Sequence, residues 1–404
     1  MFSTRSFAVV IVAFVMAVFL QTSGHCAGFD RRDVTFTSQG LKCAGWYYVP
    51  AGLKAGEKCP AIVMAHGFSG VKEMGLDKYA EKFAAAGFAV LVFDYRYMGA
   101  SEGEPRGQLF YFEQHQDYRN AISWLSLQKE VDAQRIGAWG TSNSGGHVLY
   151  LAAFDKRIKT VVAQVPGVGS WDAYFAKLSP DDLVAVHGRF AANRNETYAS
   201  GRAKYLPVVV ADPKQRAAMR QKDAYDYFTN IAKAGAPNWR NQVTVESLEL
   251  NMEYKPVANI DLVSPTPLLM IIASSDNISP PELQKRAFDR AKEPKRLVTI
   301  KGGHFDVYSG AGYEEGIQRG GRVVHPAAQA GNLVEINQVD SDKRSVRKCS
   351  EPLRQLGTRG KRGDVQKKGG REKGGTSMKF GVSPFTAIAT PSLWQNALPA
   401  QQAD

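Results

Sequence analysis

At 404 residues the chain is long enough to bury one large core with a sizeable insertion, or two smaller domains. Hydrophobic residues at 44% and charged residues at 22% exclude a disordered or fibrous chain as a whole. The net charge of +12 invites a nucleic-acid or anionic-membrane partner. From Gly316 onward, however, fifteen Lys and Arg face seven Asp and Glu, so two-thirds of the excess lies in the last stretch, and no nucleic-acid partner is expected.

The N-terminus carries Arg5, an unbroken apolar run from Phe7 to Leu20, and then the small and polar QTSGHCAG. Fourteen apolar residues are too few to span a bilayer comfortably but suit the core of a secretory signal. Residues 1–27 are therefore expected to be a signal peptide. The protein would then be secreted or periplasmic, with no stable membrane span after cleavage. Cys43 and Cys59 flank a turn-rich segment, and they are expected to be two small buried side chains rather than a disulfide.

Val34–Phe36 and Lys42–Val49 read as leading antiparallel strands, the second bounded by Gly40 and Pro50. AIVMA, Ala61 to Ala65, is a continuous apolar run of the kind found in fully buried strands, and it ends in His66-Gly67-Phe68. A helix over Tyr79–Ala86 stops at Gly87, and another buried strand, Ala89–Phe93, ends at Asp94. A longer helix places Tyr118, Ile122 and Leu125 on one face. The strand Ile136–Trp139 turns through GTSNSGGH into an apolar helix, Val148–Ala153, and Thr160–Val165 is the next strand. This alternation predicts a mostly parallel, doubly wound sheet over residues 28–166.

The pattern breaks over residues 167–262, which are polar, aromatic-rich and mostly helical in period. So long a segment is no structureless loop, and an inserted helical lid is expected. Its aromatic residues include Trp171, Tyr174, Phe175, Phe190, Tyr198, Tyr225, Tyr227, Phe228 and Trp239, most of them expected to form the lid's own core. Strand logic resumes at PLLMIIA, Pro267 to Ala273, in the second part of the core, residues 263–315. Asp276, a helix near Pro280–Ala291, the strand Arg296–Ile300 and Gly302-Gly303-His304 follow. Residues 316–404 lose every periodic apolar face and read as a basic, disordered tail. No helix is evident after His304.

Small residues crowd the corner between Trp139 and Val148, as they must where a strand turns sharply into a helix around a nucleophile. Two serines fit the corner. Ser142 lies between Gly140 and Ser144, and Ser144 between Ser142 and Gly146; Ser142 is favoured because it follows the strand end by the shorter step. A serine hydroxyl needs a histidine to take its proton and a carboxylate to orient that histidine. Elimination leaves His304 as the base, the one histidine in a glycine-bearing loop after the last core strand. Asp276, at a strand's carboxyl end, is the favoured carboxylate, with Asp94 and Asp306 as alternatives. The oxyanion would be held by the backbone amides of Asn143 and Phe68, with His66-Gly67 shaping the loop. No metal cluster, phosphate loop or dinucleotide fingerprint occurs, and no cofactor is expected.

The run from AIVMAHGFSG through RIGAWGTSNSGGHVL to PLLMIIASSDNISP and KGGHFDVY resembles the α/β-hydrolase superfamily. Within it, the chain is similar to the dienelactone-hydrolase-like or Xaa-Pro dipeptidyl-peptidase-like branch, which includes fungal polyketide transferases. The resemblance covers about Phe29 to Tyr308 and implies the triad Ser142, Asp276 and His304. It departs from that branch in carrying Asn143 where such elbows often have an aromatic residue. The expected activity is carboxylic-ester hydrolysis through an acyl-enzyme on a small-molecule ester or acyl substrate. Thioester hydrolysis, acyl transfer and prolyl peptidase action share the same triad, while a non-catalytic binding protein is the reading outside enzymes.

Overall fold

The five residues Ala61 to Ala65 face two ways, and so does the whole molecule. Ala61, Val63 and Ala65 join one hydrophobic cluster, while Ile62 and Met64 join another on the opposite side of the sheet. Successive side chains of a strand point to opposite faces, so a continuous apolar run must be covered on both. The computed structural model describes residues 28–315. The expected signal peptide, residues 1–27, and the basic tail, residues 316–404, lie outside the described residues.

The main sheet has eight strands in the order β1-β2-β4-β3-β5-β6-β9-β10. These are β1 (Phe29–Ser38), β2 (Leu41–Pro50), β3 (Cys59–Ala65), β4 (Ala89–Phe93), β5 (Val131–Thr141), β6 (Ile158–Gln164), β9 (Leu268–Ala273) and β10 (Lys295–Ile300). β1 pairs antiparallel with β2, and β2 with β4; every other pairing is parallel. Cys43 and Cys59, buried in β2 and β3, are free thiols, and burial pushes both up from their ordinary values.

Helix α1 (Leu76–Ala85) covers one face with Leu76, Tyr79, Ala80 and Phe83. The other face takes α2 (Tyr111–Ser126), α3 (Asn143–Phe154) and α8 (Pro281–Arg290), through Tyr118, Ile122, Leu125, Val148, Leu151 and Ala287 among others. The predicted periodicities therefore locate these helices correctly. β5 is longer than the apolar run alone predicts, because its first half, VDAQR, is half-buried and carries no apolar alternation.

β6 and β9 are hydrogen-bonded neighbours, yet about a hundred residues separate them in the chain. Between them lie α4 (Ser170–Ala173), α5 (Pro180–Ser200), β7 (Tyr205–Leu206), α6 (Lys222–Gly235), β8 (Val243–Thr244) and α7 (Val245–Glu253). α5 shows why a helix forms here. The Ser179 side chain accepts from the Asp182 amide at 3.1 Å, Pro180 opens the first turn, and Gly201 closes it in the left-handed region at φ 65°. Such a cap contributes about 1 kcal/mol.

One expectation is corrected. A helix does begin after His304, over residues 310–315, where the description ends. Tyr313 anchors it, packing edge-on to Tyr79 with centroids 4.9 Å apart and donating to the Lys78 carbonyl at 3.0 Å. The segment offers a single large apolar side chain, too few for a periodic face to show in the sequence.

Candidate active site

β5 ends at Thr141 and α3 begins at Asn143, so Ser142 alone makes the corner. Its backbone sits at φ 55° and ψ −121°, a conformation that costs a non-glycine residue roughly 1–3 kcal/mol. Three backbone bonds hold it there. The Ser142 amide donates to Gln164 at 2.9 Å, and its carbonyl accepts from Gly146 at 3.2 Å and Gly167 at 2.8 Å. The surrounding glycines are steric necessities. A Cβ on Gly140 would collide with the Ser144 carbonyl, and one on Gly146 with the Gly167 carbonyl and, at 2.8 Å, with Pro256 Cγ.

The two candidate serines have different surroundings. Ser142 borders the large cavity, and its Oγ lies 3.0 Å from His304 Nε2. Ser144 is fully buried; its Oγ donates to the His66 carbonyl at 2.6 Å and accepts from Tyr95 Oη in a very short contact.

His304 follows β10 in the loop Lys301–Phe305 and is almost wholly buried. Its Nδ1 faces Asp276 Oδ2 at 2.8 Å. Asp276 lies just past β9, and its Oδ1 accepts from the amides of Ile278 at 2.9 Å and Ser279 at 2.7 Å. Gln284 Nε2 approaches Oδ2 at 3.3 Å. The alternative carboxylates are engaged elsewhere. Asp94 takes the Lys72 ammonium at 2.9 Å and the amides of Lys72 and Ala100 at 2.7 and 3.0 Å, while Asp306 accepts from the Gly303 amide at 2.7 Å.

Phe68 and Asn143 border the same cavity as Ser142 and His304. Asn143 opens α3, so helix geometry leaves its amide without an intrahelical acceptor. Neither amide donates to another group among the described residues. The loop after β3 lies directly on the corner, since a Cβ on Gly67 would come within 2.9 Å of Ser142 Cβ. His66 lies beneath, its Nδ1 3.0 Å from the Gly67 carbonyl, and burial lowers its pKa.

The cavity has a volume of about 1420 Å³, above the roughly 300–1,000 Å³ usual for small-molecule sites. The segment between β6 and β9 supplies much of its wall. Of the aromatic residues named from the sequence, Tyr174, Phe175, Phe190, Tyr227 and Phe228 border the cavity. Tyr225 and Trp239 pack against the cluster beneath, whereas Trp171 is 40% exposed and Tyr198 94%. No Asp or Glu is among the described residues that border it.

Sequence reasoning missed Tyr254, at the end of α7. It stacks on Tyr111 with centroids 4.5 Å apart, and its Oη lies 2.7 Å from both His115 Nε2 and His147 Nδ1. His147 Nε2 reaches Gln114 Oε1 at 2.9 Å and must donate there, so its Nδ1 accepts from Tyr254. Burial drives His147 well below its ordinary value, and His115 down to about 3. From the sequence these two histidines showed only helical placement. A Tyr 107 and 139 residues away gave no signal that they share a partner. Among the described residues no group of three or more His, Cys, Asp or Glu is arranged to hold a metal ion, and no helix is long and apolar enough to cross a membrane.

Known proteins share this arrangement of sheet and helices. A family model described as X-Pro dipeptidyl-peptidase (S15 family) matches residues 42–306. A thiohydrolase of Eupenicillium brefeldianum is 35% identical over 289 residues, 70% of this chain and 90% of that one. The quorum-quenching protein AidA of Acinetobacter baumannii is 32% identical over 70% of this chain and 90% of its own. The crystal structure of the α/β-hydrolase GrgF from a Penicillium species superposes with a TM-score of 0.63 at 28% identity, covering 73% of this chain and 98% of that one.

Proposed function

The chain belongs to the X-Pro dipeptidyl-peptidase (S15) family and is an α/β-hydrolase, and on that footing we propose that it cleaves carboxylic esters through an acyl-enzyme on Ser142. The observation that carries this reading is the continuous chain from Ser142 Oγ to His304 to Asp276, at 3.0 and 2.8 Å. His304 Nε2 takes the hydroxyl proton as Oγ attacks the acyl carbon. The same proton then passes to the departing alkoxide as the acyl–oxygen bond breaks. Water repeats the sequence against the acyl-enzyme and releases the acid. Asp276 fixes Nδ1 as the protonated nitrogen and stabilises the imidazolium, while its own orientation is set by two backbone amides. The amides of Phe68 and Asn143 receive the negative charge that develops on the carbonyl oxygen.

A thioester reading is favoured by one specific finding, the name thiohydrolase carried by a relative that this chain matches over most of its length. It changes the leaving atom from oxygen to sulfur and leaves every residue role in place. Peptidase action on an X-Pro amino terminus is disfavoured by charge. Its substrate presents a free α-ammonium group, and the described residues of the cavity wall include arginines but no carboxylate to receive one. Residues 167–262 would act as the lid that selects the acyl group, and export by residues 1–27 remains part of the proposal.

Labelling with a fluorophosphonate tests the reading. The wild-type protein should label, Ser142→Ala should not, and Ser144→Ala should label still. A folded wild-type protein that stays unlabelled would remove the proposed nucleophile.

A further inference from the structure

Between Arg202 and Lys222 the chain carries six basic residues and one acid, Asp212, a net charge of +5. Residues 28–315 as a whole carry 35 Lys and Arg against 32 Asp and Glu, so this short stretch exceeds their entire net charge. Its backbone is fixed. The Ala218 amide donates to Pro207 at 2.9 Å, the Met219 amide to Val208 at 2.8 Å, and the Val209 amide to Asn241 Oδ1 at 2.9 Å.

Lys204, which borders the cavity, pairs with Glu196, and Lys222 pairs with Asp226, as nearby Arg194 of α5 does with Glu249; Arg202 and Lys214 lie away from the cavity wall. Arg216 and Arg220, together with Arg189 of α5, border the cavity that holds Ser142 and His304. Among the described residues these three guanidinium groups make no ion pair or hydrogen bond, and no carboxylate borders the cavity to neutralise them. All three are exposed, so they stand where the cavity opens. Deeper in, the wall is apolar, with Phe68, Val168, Phe190, Phe228 and Phe305. A guanidinium fork binds carboxylate and phosphate oxygens in pairs, and like charges gathered without counter-charge attract an anion to the mouth.

We infer that the substrate is an acyl compound bearing an anionic group, a carboxylate or a phosphate, held at the cavity mouth by Arg189, Arg216 and Arg220 while its acyl carbon lies at Ser142. The inference rests on the acyl-enzyme reading above and specifies its substrate class. The carboxylate would belong to the far end of the acyl chain, the phosphate to the leaving group; the recognising chemistry is the same.

Three thioesters of one chain length separate these cases: decanoyl-N-acetylcysteamine, which is neutral; 9-carboxynonanoyl-N-acetylcysteamine, with its charge on the acyl part; and decanoyl-coenzyme A, with its charge on the leaving group. For the wild type at low salt, kcat/KM for at least one anionic probe should exceed that for the neutral probe by about tenfold or more. That ratio should fall to about twofold or less in R216Q/R220Q, in R189Q/R216Q and for the wild type in about 0.5 M sodium chloride. The anionic probe that shows the preference identifies which part of the substrate is charged. Equal turnover of all three probes, or a preference that survives both double variants, would overturn the inference. Calorimetric binding of the same probes to Ser142→Ala keeps the two readings distinct. If the wild type hydrolyses none of them and stays unlabelled by the fluorophosphonate, the acyl-enzyme reading falls. An anionic probe that still binds about tenfold more tightly, through the arginines, then sustains the anion subsite, and equal binding of all three removes it.

Discussion

Ser142 and Ser144 are two residues apart and share no hydrogen-bond partner. The first hydroxyl faces His304 Nε2 at 3.0 Å from the wall of the cavity, and the second is sealed under the strand end, donating to the His66 carbonyl at 2.6 Å. Ser144→Ala should therefore spare labelling at Ser142 while lowering stability. It leaves the Tyr95 hydroxyl and the His66 carbonyl without a buried partner, at a cost of about 1–3 kcal/mol. Thermal melts alongside labelling check this. Loss of labelling in a variant whose melt is unchanged would reverse the assignment.

Asp276→Asn keeps the shape of the side chain but alters what it offers. Its oxygen would stay with the amides of Ile278 and Ser279, leaving the NH2 group against His304 Nδ1. That arrangement places the imidazole proton on Nε2, where it cannot accept from Ser142. Turnover should fall by about 10⁴-fold with the melting temperature little changed. Asp306→Asn, which alters only a loop bond to Gly303, should cost far less turnover. A steady-state comparison of the two variants decides whether Asp276 is the orienting carboxylate.

Gly146→Ala tests the packing of the corner. The added methyl meets Pro256 Cγ at 2.8 Å and presses still closer on the Gly167 carbonyl, which belongs to backbone and yields little. Overpacking of this kind costs about 1–3 kcal/mol. Chemical denaturation should show that loss, together with reduced labelling, since Gly167 also donates to the Ser142 carbonyl. A variant as stable as the wild type would mean that the corner relaxes freely.

Acid should destabilise the fold through its buried histidines. Burial, with Arg119 adding to it, holds His115 at about 3, and burial also lowers His66 and His147. In the unfolded chain each titrates near 6.5. Below that value the unfolded chain takes up protons that the folded one refuses, so the stabilisation is full above about pH 6.5 and is lost as the pH falls toward 3. Each histidine gives a slope of about 1.4 kcal/mol per pH unit within its window. Melting curves from pH 7 to 4 should show the decline, and His115→Gln should make it shallower. An unchanged slope would show that His115 takes up its proton equally in both states.

Much of the sheet was legible because buried parallel strands are written as apolar runs, as in AIVMA and PLLMIIA, bounded by glycine or proline. The corner was legible because a strand that turns into a helix at one residue admits only small neighbours, even though Gly146 meets Gly167 and Pro256 far along the chain. Ser142, Asp276 and His304 could be named from strand ends and chain order, and the structure brings those three side chains together. The contacts made by Tyr254 could not be read in the same way. Its partners His115 and His147 are local to other helices, and nothing in either periodicity encodes a shared phenol. The helix after His304 escaped notice for a related reason, since Tyr313 is its single large apolar side chain. The three unpaired arginines emerge only when the cavity they border is seen to hold no carboxylate.

Because β6 and β9 lie side by side, the chain leaves the sheet and returns to it at adjacent strands, and the hundred residues between them form a detour that the register of the sheet does not measure. Such a detour is an exchangeable cassette: a relative's segment could replace this one without moving Ser142, Asp276 or His304. The exceptions are its first residues, where the Gly167 amide donates to the Ser142 carbonyl, and its last stretch. Pro256 closes on Gly146 and Tyr254 ties to His147, so a graft that stops before Met252 keeps the elbow's own brace, and one that runs through Pro256 removes it.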